Sequence, residues 1–119
     1  MDREPPAGLD PAGIDAMTSR PGVVARLREL RDRVAEGPGQ SPVRVRRAAA
    51  SGAPVPAAAH DYAQKVRRHA YKVVDRDVES LRAAGWSDDE IFELTVALAL
   101  GEGMFRLEHA QRLVDEVRG

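Results

Sequence analysis

Glu102 interrupts an apolar stretch, TVALALGEGM, between Gly101 and Gly103. A carboxylate there is costly if buried alone, and a pocket carboxylate is the usual material of a general acid or base. Arg106 follows four residues on, in the Glu-to-Arg order that favours an i,i+4 helix pair. An ion pair, within the helix or at a subunit contact, is therefore the simpler reading, and Glu102 with Arg106 is the weak candidate for ligand binding. His109 shares the face of Glu102 but lies two turns on, roughly 10 Å along the axis, so the two meet only across a subunit contact. His69 is the third weak catalytic candidate. It sits among cations in RRHAYK, a poor setting for a base that needs a partner within reach, and reads first as a surface or interface histidine.

Other chemistry is excluded or disfavoured. The chain has no cysteine, which removes disulfides, thiolate metal sites, cysteine nucleophiles and thiol redox chemistry together. His60, His69 and His109 form no i,i+3 or i,i+4 ligand cluster with the acids, and His60 and its neighbour Asp61 face apart, so no metal is expected. No cofactor is expected either. GEGM is not a phosphate loop, because no strand precedes it. Each glycine costs about 1 kcal/mol relative to alanine in a helix interior, which points to close helix packing or a local kink.

These residues must be positioned by helices, since no segment shows strand alternation. Residues 1–21 hold four prolines and two glycines and read as a flexible N-terminal segment, in which GLDPAGIDAM could dock. Residues 22–119 read as one helical domain. The first helix, 22–36, carries an apolar stripe of Val23, Leu27, Leu30 and Val34. EGPGQSP ends it, a short Arg- and Ala-rich helix spans 42–51, and SGAPVP breaks again. Tyr62, Val66, Ala70, Val73 or Val74, Val78 and Leu81 keep one helical phase, which predicts a single helix over 57–84 ended by Gly85 in a C′ role. A kink with a second helix capped by Asp75 is the alternative. Ser87 and Glu90 form an S-x-x-E capping box that starts a last helix reaching Arg118. That helix has two apolar faces, Ile91, Leu94, Leu98 and Phe105 on one, and Phe92, Val96, Leu100, Leu107 and Val114 broadening it, so it needs more than one neighbour.

The order LRAAG, then SDDEI, then an Ala/Val/Leu helix resembles the alkylhydroperoxidase D-like family, within the carboxymuconolactone decarboxylase superfamily. The resemblance spans roughly residues 57–110 and rests on Leu81, Arg82, Ala84, Gly85, Ser87, Glu90, Ile91 and Arg106. It implies an all-α, AhpD-like helical hairpin or bundle in a homo-oligomer, commonly a trimer or hexamer. Redox members carry C-x-x-C-x-x-x-H before this hinge. Counting back from Gly85, the cysteine positions fall on Ala70 and Val73 and the histidine position on Asp77. A relay glutamate would fall among Ala57, Ala58 and Ala59. The resemblance thus implies the fold without the peroxidase.

Aromatics make up 4% of the chain, so its core is thin and burial against a second copy is a natural gain. Residues 20–72 carry 12 Lys/Arg against 4 Asp/Glu, and residues 73–119 carry 5 against 11. The two halves could attract each other, or could be ordinary solvated faces. No apolar run has membrane-spanning length, and MDREPPAGLD has no secretory h-region, which makes the cytoplasm the expected location. Three function classes follow. The first is a non-redox, catalytically degenerate helical protein, self-associating as a structural, binding or accessory protein. The second is a cofactor-free acid/base enzyme, of decarboxylase or isomerase kind, with an intersubunit pocket. The third, less favoured, is a nucleic-acid-associated module using Arg26, Arg28, Arg31, Arg33, Arg44, Arg46, Arg47, Arg67 and Arg68 on phosphates.

Overall fold

The structure, a computed structural model, describes residues 19–118; the expected N-terminal segment, apart from its last three residues, lies outside the described residues. The described residues form five α-helices and no strand: α1 (Arg20–Glu36), α2 (Val43–Ser51), α3 (His60–His69), α4 (Asp75–Ala83) and α5 (Asp88–Arg118), with 3-10 turns at Ala57–Ala59 and Ala70–Lys72. None of the helices is long and apolar enough to cross a membrane.

α1 begins two residues ahead of its expected start. Ser19 caps it by accepting the Gly22 amide at 3.2 Å, and Pro21 fits the first turn, where no amide proton is needed. The hinge at Gly85 is built as the sequence predicts. Gly85 adopts φ 98°, in the left-handed region that favours glycine. Its amide donates to the Arg82 carbonyl at 3.0 Å, and the Trp86 amide donates to that of Leu81 at 3.0 Å, the paired bonds of a Schellman ending. The Glu90 amide donates to Ser87 Oγ at 3.1 Å and the Ser87 amide to Glu90 Oε1 at 3.0 Å, so α5 starts with the expected capping box.

The single helix expected over 57–84 is not formed. The chain leaves helical geometry at His69 (φ −145°, ψ 59°), makes a 3-10 turn, and runs extended through Val73 and Val74 before α4 begins. Asp77 stabilises this break. Its carboxylate accepts the Val74 amide at 2.9 Å and pairs with Lys65 at 2.8 Å. The Lys65 hydrogen bond and the Val74 amide together hold its carboxyl below the ordinary aspartate range. The alternative reading predicted the second helix but named the wrong cap, since Asp75 is its first residue and Asp77 reaches back. On either side of the break Val66, Val73, Val78 and Leu81 still pack on one core, while Ala70 and Val74 of the expected stripe are exposed.

That core sits under the first half of α5. Leu81, Leu94 and Leu98 are fully buried, with Ala49, Ala59, Ala63 and Ala97 around them. Small residues here let the helices approach closely. A Cβ on Gly101 would stand 2.8 Å from the carbonyl carbon of Ala50 and 2.9 Å from its Cα, so the end of α2 rests on the α5 backbone. Gly103 has nothing within 4 Å of such an atom. Close packing therefore accounts for the first glycine of GEGM and not for the second. Tyr62, also buried, reaches Thr95 Oγ1 at 2.6 Å. Thr95 spends its proton on the Ile91 carbonyl at 2.7 Å, so the tyrosine is the donor.

The turn between α1 and α2 is held by two opposite charges. The buried guanidinium of Arg46 donates to the carbonyls of Val34, Gly37 and Ser41, covering orphan acceptors at the end of α1. Glu93, from α5, accepts the amides of Gln40 and Ser41 at 2.6 and 2.8 Å and the Ser41 hydroxyl at 2.7 Å. Burial pushes the Glu93 carboxyl up, but those donors and the nearby Arg46 outweigh it and hold it below the ordinary glutamate value. A carboxyl lowered in the folded state stabilises above its unfolded value, and that contribution is lost as pH falls through the folded value. Glu93→Gln is accordingly expected to lower the melting temperature at neutral pH, with the deficit against wild type shrinking between about pH 5 and about pH 3. A deficit constant across that range in thermal melts would contradict this role.

Candidate functional site

The candidate residues do not converge. Glu102 and Arg106 form the expected i,i+4 pair, Nε to Oε1 at 3.1 Å. Arg106 also donates to the Arg67 carbonyl at 3.3 Å, tying α5 to the end of α3. His69 is exposed at that end, its ring edge-on to Tyr71 with centroids 5.9 Å apart. His109 is exposed on the distal half of α5. Glu102 lines a cleft of about 510 Å³ between α1, α2, α3 and α5, and neither histidine borders it. Within one chain no acid/base pair is assembled. Among the described residues no group of three or more His, Asp or Glu could hold a metal ion.

The positions matched to the family's redox motif are scattered as well. Ala70 opens the 3-10 turn and is exposed, so it does not extend the apolar stripe as the sequence suggested. Val73, in the extended break, does pack on the core. Asp77 lies in the first turn of α4, engaged with Val74 and Lys65.

Several of the arginines proposed for phosphate contact have structural work. Arg46 is buried as described. Arg67 donates to the carbonyls of Ala48, Ala49 and Ala53 at 3.2, 3.4 and 3.0 Å, closing the end of α2. Arg47 pairs with Glu36 at 2.6 Å, Arg28 with Glu108 at 2.9 Å and Arg31 with Asp32 at 3.1 Å. Sequence reading missed the two helix-end clamps. The available signal was Arg46 on the same face as Val45, Ala49 and Ala50 in a nine-residue helix, where a solvated arginine would not be placed.

The surface also carries an extended apolar feature. Arg28 at the middle of α1 meets Glu108 far along α5, and the turn after α1 meets Glu93; the two helices are antiparallel. At about 100° per residue, Val96, Leu100, Gly103, Leu107, Ala110, Val114 and Val117 fall on one stripe of α5, opposite the buried Leu94 and Leu98. It is left open, with Val114 48% and Val117 90% exposed, and Phe92 beside its start 69% exposed. The stripe foreseen on α1 flanks it and is equally open, Val23, Leu27 and Leu30 being 37–44% exposed. At one end Leu30 and Val34 of α1 and Phe92 and Val96 of α5 line a shared groove of about 330 Å³. The second apolar face of the last helix is therefore real, and nothing within the described residues covers it.

No family model, curated protein or solved structure matches the chain.

Proposed function

We propose that this chain is a non-redox, AhpD-like helical protein that acts as a self-associating structural, binding or accessory protein. One observation carries the reading: two apolar stripes, on α1 and α5, lie side by side and open to solvent along an antiparallel helix pair. A helix pair with one bare apolar face is half of a bundle, and a contiguous exposed patch of this kind marks an interaction surface. A second copy is the occupant that charge favours. α5 carries eight acids against three arginines, and α1 five arginines against three acids. A two-fold that lays α1 of one copy on α5 of the next therefore brings unlike charges together twice. The hinge at Gly85–Ser87 and the absence of cysteine support the family and the non-redox character.

Light scattering over a dilution series tests this. The expected mass is a multiple of 13.0 kDa, falling on dilution, with no thiol-dependent peroxidase turnover. A 13.0 kDa species persisting at high concentration removes the reading.

A further inference from the structure

We infer that the cleft between α1, α2, α3 and α5 binds a small organic carboxylate with an apolar body, an aryl or acyl acid. Its volume of about 510 Å³ lies within the range of small-molecule sites. Its floor is the end of α2, brought down on Gly101.

The charges around it do not cancel. Its two carboxylates are already engaged by arginines that lie outside the lining, Glu102 by Arg106 and Glu108 by Arg28. Arg67 answers the carbonyls at the end of α2 and so offsets the negative pole of that helix. Arg31 and Arg68 remain on the lining; Arg31 pairs only with its exposed neighbour Asp32, and Arg68 is exposed. The cleft therefore presents guanidinium groups suited to a carboxylate. Phe105 supplies the other half of the recognition. It is 62% exposed on this lining, and at 100° per residue it faces away from the α5 stripe assigned to self-association. The site is thus independent of that assignment.

The test is titration of the full ¹⁵N-labelled chain, followed by amide shifts, with 4-phenylbutanoate, 4-phenylbutanamide and inorganic phosphate. The carboxylate should give saturable shifts at Gly52, Gly101 and Phe105, and the amide and phosphate should not. Arg68→Ala and Phe105→Ala should each weaken binding about tenfold, with Arg68→Lys intermediate. Equal shifts from the neutral amide, shifts from phosphate alone at the same residues, shifts confined to Val114 and Val117, or no saturable shift each overturn the proposal.

Discussion

Replacing Leu30 and Val114 together by glutamate is expected to yield a 13.0 kDa monomer with unchanged helix content. In the single chain both side chains are about half open, at 44% and 48% exposure, so the substitutions remove little internal packing. Surface changes of this kind usually move stability by less than about 0.5 kcal/mol. In an assembly built on the α1–α5 face, the same changes bury four carboxylates in every two-fold contact. Unpaired charges in an interface cost several kcal/mol each, enough to abolish association at micromolar concentration. Light scattering reads the mass and far-UV circular dichroism the fold. A double variant that keeps the mass of the wild-type assembly would place the contact elsewhere.

Gly101→Val is expected to destabilise the fold by about 3 kcal/mol, the upper range for overpacking a fixed site. Even a single added carbon would meet the backbone of Ala50 at 2.8–2.9 Å, and backbone cannot rotate aside. α2 must lift from α5, and with it the floor of the cleft. Gly103→Ala, two residues on, should move the other way by up to about 1 kcal/mol, because the added methyl meets nothing within 4 Å and the residue gains helix propensity. Both are best measured by denaturant unfolding in the monomeric Leu30→Glu/Val114→Glu background, where partner contacts do not enter. Equal effects at the two positions would mean that propensity, not the approach of Ala50, governs them.

Much of the fold was legible because it is written in local grammar. Gly85 with Ser87 and Glu90 specifies a helix stop and restart within a few residues, and the hydrogen bonds follow that script. The pairing of Glu102 with Arg106 was legible for the same reason, both partners lying on one helix. The break at Val73–Val74 was not, because a side chain twelve residues from its partner decides it: Asp77 holds Lys65 and the Val74 amide at once. Apolar phase continued across the break and concealed it. The cleft was hidden for a similar cause, since it brings residues 31, 50, 64 and 105 together from four helices. Of its lining, the sequence pattern marked Glu102 as a lone charge, Phe105 as part of an apolar face and Arg31, Arg67 and Arg68 as phosphate contacts, without showing that they share one cleft.

The clasp formed by Arg46 and Glu93 has a mechanical meaning. It grips the turn after α1 from both sides, whereas at the middle of that helix the ion pair joining it to α5 is the half-exposed one between Arg28 and Glu108. α1 is thus held like a blade in its handle, firmly pinned at the heel and lightly latched at mid-length. Beyond that latch Val24 is the one buried residue of 21–27, so fraying is expected to begin in the first turn and to meet Val24 before it reaches the Arg28 pair.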